Sequence, residues 1–547
     1  MPDRRHFLQT TAGALAAAAA PTSSVRADPL PPRGKAPFRV LYSNDTTNIT
    51  SCVSPFHKAR EPFRASMLEA TVDEVTGLVD AHFLQPGLGM VPMWPSKVLP
   101  LEPHYAWIKE RYGVGPDSFG NFVMKGGDVV RIFVDRCRAT GQAPFISFRL
   151  NDAHHKEFTQ PKPGDKPGAS MGMSVTRHYA EHPEFMFDPA SKRGADLVQN
   201  WLFDEVRAQK LVLITELCEN YDLEGLELDY MRFCSFFDVQ KTTFQQRQSI
   251  MTGFVREVRA VLDRTQRQGK RRWLCARVPC LVKGLDALGL DLTATAATGL
   301  DMVNLSASYF TTQQMDFEEI RAQVPASTAL YVELCHSIAN GRKLVPGYDT
   351  FTFRRATTEQ YHTTAHLAYA RGADGVSLFN FAYYREHGGP GRGPFSEPPF
   401  QALKPLRHPD ALAKQPQHWF LASGWNNPWV RPPVLPRGLK ENSSTRFILN
   451  LAPPADGWQG QGRLRLQADA TLAGRTLQAR CNGTELQPDE NVSEPFANPY
   501  PSLLGLPETL RAWTVPASVL KDGHNEIEFL HKGGKPVTLE YLDLRMG

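Results

Sequence analysis

The sequence predicts an α/β protein: a (β/α)8 TIM barrel followed by a C-terminal β-sandwich. Three observations lead there. Eight short apolar runs alternate with amphipathic stretches between residues 38 and 380, the pattern of parallel strands covered by helices. The first run leads into Ser43-Asn44-Asp45-Thr46-Thr47-Asn48, not into the Gly-rich turn by which an open dinucleotide-binding sheet announces itself. Beyond residue 444 the chain changes to short alternating runs separated by the turns Asn482-Gly483 and Asp522-Gly523, as in a sandwich.

The 547 residues are 41% hydrophobic and 22% charged, ordinary values for a folded chain. The formal charge of +4 is far from the basic stripe that nucleic-acid binding requires, so no such partner is expected. No apolar run of about 18 residues follows the N-terminal region, so no membrane span is expected.

Taken in order, residues 1–27 read as a cleavable export signal. Arg4-Arg5-His6-Phe7-Leu8 is followed by an alanine-rich stretch and by Val25-Arg26-Ala27, a charged head, an apolar middle and a small-residue cleavage site. The paired arginines resemble a twin-arginine signal. Export to the periplasm or outside the cell is the expectation. Cleavage after Ala27 would remove three arginines and one aspartate, leaving +2. The eight cysteines sit mostly in apolar runs, and no CxxC pair occurs. They are expected as small buried hydrophobes, with no thiolate metal site.

The barrel is expected over residues 28–390. Its strands are predicted at 38–44, 79–85, 144–150, 224–230, 273–278, 301–307, 329–334 and 374–380. Helices are predicted at 63–76, 127–140, 194–220, 243–266, 284–298, 315–323 and 357–371, where apolar residues recur at three and four, as in Phe254, Val255, Val258, Val261 and Leu262. Residues 391–443, rich in proline and glycine, read as a linker or extended segment. Residues 444–547 read as a jelly-roll-like sandwich with strands at 445–451, 463–468, 477–481, 512–515, 525–530 and 537–544.

In a barrel the reactive residues stand at the C-terminal ends of the strands. The fourth run, Leu223-Glu224-Gly225-Leu226-Glu227-Leu228-Asp229-Tyr230-Met231-Arg232, alternates, so Glu227 and Asp229 share the inner face and the leucines face the helices. Buried acids are costly unless paired or put to use. The seventh run supplies Glu333. Asp229, Glu333 and Glu227 are therefore the candidate catalytic residues. Arg149 and Arg277, on the neighbouring strands, are placed to neutralise an acid. With them, Asp45, Asn151, His154, His155, Tyr230, Arg232, Asn304, Tyr309, Asn380 and Trp94 are candidates for binding substrate. Such an inner ring of acids, arginines and amides, with aromatics in the upper loops, suits a sugar. Two carboxylates at a barrel mouth suit glycoside hydrolysis, in which one protonates the leaving oxygen and the other attacks the sugar or activates water. No metal or other cofactor is expected. Asp152 with His154 and His155 is the strongest alternative, as a metal site.

The run Gly225-Leu226-Glu227-Leu228-Asp229-Tyr230-Met231-Arg232 resembles the fourth-strand motif of the glycosyl-hydrolase-like family 10 barrels, a glycine, alternating hydrophobics, then Asp-Tyr-hydrophobic-Arg. The run Arg371-Gly372-Ala373-Asp374-Gly375-Val376-Ser377-Leu378-Phe379-Asn380 is similar to the closing strand of many glycosidase barrels. Two features depart from the motif: Glu224 stands where its first Asp would be, and no proline follows Arg232 closely. The resemblance implies a polysaccharide-directed barrel enzyme with Asp229 as the motif acid. In the large retaining clan of such barrels, the fourth strand carries the proton donor and the seventh the nucleophile. In α-galactosidase-like barrels the fourth-strand Asp is itself the nucleophile. Two other functions fit the same residues: a metal-dependent carbohydrate deacetylase, and a carbohydrate-binding protein in which the acids only orient hydroxyls.

Overall fold

The computed structural model describes residues 34–547 except 53, 59, 88–90, 155–173, 189–196, 340–352, 387–396, 424–429, 431–433 and 499–504. The expected export signal, residues 1–27, lies outside the described residues.

Eight parallel strands close a barrel: β1 Val40–Asn44, β2 Ala81–Leu84, β3 Ala143–Arg149, β4 Gly225–Asp229, β5 Trp273–Pro279, β6 Met302–Ser306, β7 Ala329–Cys335 and β8 Gly375–Phe379. Each pairs with its sequence neighbour, and β1 pairs with β8. Their outward side chains pack on the helix layer. Leu226 and Leu228 of β4, for example, join Val255, Val258 and Leu262 in the main core. The N-terminal end of the barrel is plugged by Phe38, Phe83, Phe145, Trp273, Met302 and Tyr331. That apolar floor leaves the polar inward residues at the opposite end.

The helices depart from expectation in three places. Helix Asp204–Asn220 begins ten residues after its predicted start, with Asp204 and Glu205 in the first turn, where acids favour the helix dipole. The predicted helix 284–298 is two, Val282–Leu288 and Leu292–Ala297. Gly289 ends the first in the left-handed region at φ 70°, and Asp291 accepts a hydrogen bond from Ala294 N to cap the second. Helices Leu101–Tyr112 and Ser118–Met124, neither of them expected, precede the expected helix, Val129–Ala139, in the connection between β2 and β3.

The C-terminal region is a sandwich of two antiparallel sheets. The first contains β9 Gln417–Leu421, β11 Gln461–Ala468, β13 Leu510–Pro516 and β15 Val537–Met546; the second contains β10 Ser443–Leu451, β12 Thr476–Cys481 and β14 Gly523–Gly533. Phe447, Leu449, Leu464, Leu466, Trp513, Ile527, Phe529, Leu542 and Leu544 fill the space between them. Strand β9 corrects the expectation of a linker over 391–443. It runs antiparallel to β15, and its own alternation is used twice. Trp419 and Leu421 enter the sandwich core, while Phe420 packs with Tyr361 and Leu403 against the barrel. All eight cysteines are buried. Among the described residues, no helix is long and apolar enough to cross a membrane.

Candidate active site

Strand β4 organises the site. Parallel register sets Ser147 and Cys275 beside Glu227, and Arg149 and Arg277 beside Asp229. Two tiers of polar side chains result, one above the other, inside the C-terminal half of the barrel.

Glu227 forms the lower tier. Ser147 Oγ donates to it at 2.7 Å, Cys275 Sγ at 3.5 Å and Asn304 Nδ2 at 3.4 Å. Burial, reinforced by the negative charge of Asp229 and only partly offset by Arg277, pushes the Glu227 carboxyl up to about 7. A carboxylic acid in a low-dielectric site gains by keeping its proton.

Asp229 and Glu333 form the upper tier, joined through one guanidinium. Arg277 Nε and Nη2 donate to the two Glu333 oxygens at 2.5 and 2.8 Å. Arg277 Nη1 donates to Asp229 Oδ1 at 3.1 Å. Such fork geometry is available to arginine and not to lysine. The Phe379 ring lies 4.0 Å from the Arg277 guanidinium carbon, on its π face. Ser306 Oγ donates to Glu333 at 2.6 Å, while Gln85 Nε2 and Met231 N donate to Asp229 at 3.3 and 2.9 Å. Asp229, Arg277 and Glu333 are all buried, at 1, 2 and 4% exposure. Burial raises the Glu333 carboxyl above the ordinary range, against the pull of Arg277. For Arg277, burial works the other way but the two carboxylates prevail and keep it charged.

A ring of side chains rims these acids. Arg149 donates to Asp45, to Gln85 Oε1 at 2.8 Å and to Asp152 at 3.3 Å. Gln85 thereby links the rim to Asp229. Asn380, in the left-handed region at φ 54°, clasps Asp45: Asp45 N donates to Asn380 Oδ1 at 2.7 Å and Asn380 Nδ2 donates back to Oδ2 at 3.0 Å. Tyr309 OH donates to Asp45 at 2.9 Å and accepts from Arg232 Nη1. Arg232 Nη2 stands 2.7 Å from His154 Nε2. Since a guanidinium only donates, that nitrogen accepts, and His154 Nδ1 carries the proton toward Asp152, 2.6 Å away. Burial opposes ionisation of Asp45 and Asp152. The nearby cations and hydrogen bonds outweigh it, holding both carboxyls well below the usual range.

Of the expected residues, Asp45, Arg149, His154, Arg232, Arg277, Tyr309 and Asn380 meet around Asp229 and Glu333, with Glu227 and Asn304 beneath. Three lie elsewhere. Tyr230 follows Asp229 on the opposite face and packs against Phe236 in the outer core. Trp94 is buried and donates its indole N–H to Glu216 at 2.9 Å. Asn151 spends both amide hydrogens on the carbonyls of Gln199 and Ser235, so it ties two loops together. His155 lies outside the described residues. Sequence reasoning missed Gln85, one residue beyond β2 on the inward alternation that passes through Phe83, and the supporting role of Phe379. Among the described residues, no group of three His, Cys, Asp or Glu side chains is placed to hold a metal ion.

No protein-family model and no curated protein matches the sequence. Among solved structures, the chain is similar to a class V chitinase from Pseudomonas fluorescens Pf-5, at 10% identity and TM-score 0.36, over 67% of this chain and 98% of that one. It is also similar to a putative α-L-fucosidase from Bacteroides thetaiotaomicron, at 10% identity and TM-score 0.35, over 93% of this chain and 91% of that one. A third is the PgaB (BpsB) glycoside hydrolase domain from Bordetella bronchiseptica, at 12% identity and TM-score 0.37, over 68% of this chain and 99% of that one.

Proposed function

We propose that the protein is an exported glycoside hydrolase that cleaves glycosidic bonds of a polysaccharide or glycan with Asp229 and Glu333. One observation carries this reading. Two carboxylates from non-adjacent strands, β4 and β7, converge on one guanidinium at the C-terminal end of the barrel, beneath a rim of donors and acceptors suited to hydroxyl groups. Glycoside cleavage needs two such acids. One gives its proton to the glycosidic oxygen as that bond breaks, and the other attacks the anomeric carbon or takes a proton from the attacking water. Arg277 holds the pair in register. The rim residues Asp45, His154, Arg232, Tyr309 and Asn380 orient the sugar. Export rests on the twin-arginine character of residues 1–27.

The test is digestion of a glycan library by the mature protein, scored by release of reducing ends. On the substrate found, Asp229→Asn and Glu333→Gln should each lower kcat by about 10²–10⁴, the usual worth of a positioned acid or base. If one acid is a nucleophile, azide should restore turnover in that variant and yield a glycosyl azide. Full activity in either variant removes that residue from the mechanism. One observation favours a second reading. Both Glu333 oxygens are already taken up by Arg277, as they would be in a protein that binds carbohydrate without cleaving it. Saturable oligosaccharide binding with no reducing ends released at any pH supports that reading instead.

A further inference from the structure

At the opposite, N-terminal end of the barrel lies a cavity of about 210 Å³, far larger than the roughly 10–15 Å³ that one water needs. It opens between the segments that enter β4 and β5, and five cations, Arg138, Arg267, Lys270, Arg271 and Arg272, outnumber the two acids of its lining, Asp222 and Glu224. Of these, Arg138 is paired with Glu224 at 2.9 Å, and Arg271 with Asp301 at 2.9 Å. The other three, Arg267, Lys270 and Arg272, have no carboxylate within ion-pair distance among the described residues. Arg267 only donates to the Glu219 carbonyl at 3.1 Å. Arg272 is 3% exposed. Its Nη groups donate to the carbonyls of Cys218 and Tyr221 at 2.6 and 2.8 Å and to Thr265 Oγ1 at 3.1 Å. Its Nε–H is buried and meets no acceptor.

This arrangement costs stability as it stands. A buried guanidinium is normally paired with an anion, and here burial and the proximity of Arg267 outweigh the support that Cys218 and Asp222 give the charge on Arg272. A multivalent oxyanion in the cavity would offset the positive charge and relieve the repulsion between the two arginines.

We propose that this cavity is a second binding site, separate from the acids at the barrel mouth, for a phosphate or sulfate group, with Arg272 as the buried anchor and Arg267 and Lys270 as its outer clamp. Charge-assisted hydrogen bonds from arginine suit such tetrahedral oxyanions. The proposal does not depend on the reaction at the other end of the barrel.

Isothermal titration calorimetry on the full chain tests it. Inorganic phosphate and sulfate are titrated against sodium chloride at matched ionic strength, and glucose 6-phosphate in parallel. One saturable site is expected for the oxyanions and none for chloride. Glucose 6-phosphate binding as tightly as phosphate assigns the group to a sugar; binding of inorganic phosphate alone assigns it to the free ion. Arg267 and Lys270 are exposed, so the double variant Arg267→Glu/Lys270→Glu should fold, as its circular dichroism would verify. It should weaken the affinity by at least about tenfold. Heats no larger than those of chloride, or an affinity unchanged in the double variant, overturn the proposal.

Discussion

Glu227 is a carboxyl surrounded entirely by donors, from Ser147, Cys275 and Asn304, and its pKa nevertheless rises to about 7. Linkage then fixes a pH dependence. Below the free-carboxyl value of 4.5, folded and unfolded chains both carry the proton. Between 4.5 and about 7 only the folded chain does, so the stability this group contributes is full at low pH and is lost as pH rises through about 7. The loss amounts to roughly 3 kcal/mol. Glu227→Gln, which cannot ionise, should therefore be more stable than the parent at pH 8 by up to about 3 kcal/mol, and should lose that advantage near pH 4.5. Urea unfolding at the two pH values measures it; a difference independent of pH would show that Glu227 is not buried as an acid. The sequence reveals Glu227 and Asp229 because strand alternation forces them onto one face. The same alternation turns Tyr230, one residue on, away from the acids, so its place in the outer core is equally legible. That both amide hydrogens of Asn151 are committed to carbonyls is not, because it depends on loops whose course local pattern does not set.

At the level of elements, all eight barrel strands were legible, because a strand buried on both faces is a short apolar run with polar ends. Helices were less so. Leu101, Tyr105 and Ile108 are spaced four and three apart and bury one face of a helix, a signal obscured by the prolines at 100 and 103. The predicted helix over 284–298 breaks because Gly289 takes φ 70°, with the Cβ and backbone of Arg247 pressed against it. A Cβ on Gly289 would lie 2.4 Å from Arg247 Cβ. Gly289→Ala should therefore cost more than the roughly 1 kcal/mol of a left-handed alanine, reaching about 2–4 kcal/mol once the overpacking is included. The measurement is the shift in denaturation midpoint at unchanged m-value. A loss below about 1 kcal/mol would mean that helix Phe244–Arg264 can move away from the turn.

At the level of the whole molecule, barrel and sandwich share their contacts too closely to be independent. Residues 35–547 form one compact unit, and strand β9 belongs to both halves, with Phe420 against the barrel and Trp419 in the sandwich. Gln313, from the connection after β6, holds that strand by accepting from Phe420 N at 2.8 Å and donating to the His418 carbonyl at 3.2 Å. Charge crosses the same boundary. Arg354, which follows β7, pairs with Glu494 at 2.5 Å. Arg465 of β11 reaches Glu494 at 3.1 Å and Asp543 at 2.6 Å, and His418 stands 3.1 Å from Asp543. Arg354 also lies over the Tyr541 ring, 4.6 Å from its centre. Removing the sandwich would leave Arg354 without its acid and β9 without the strand it pairs with. An unpaired buried charge alone costs about 3–5 kcal/mol, a large share of the 5–15 kcal/mol by which a domain is typically stable. The chain should therefore unfold in a single calorimetric transition, and a version truncated after residue 443 should fail to fold, although the barrel strands and both candidate acids are all retained. Two resolved transitions, or a truncated chain with a cooperative melt, would show that the barrel stands alone and that β9 only decorates it.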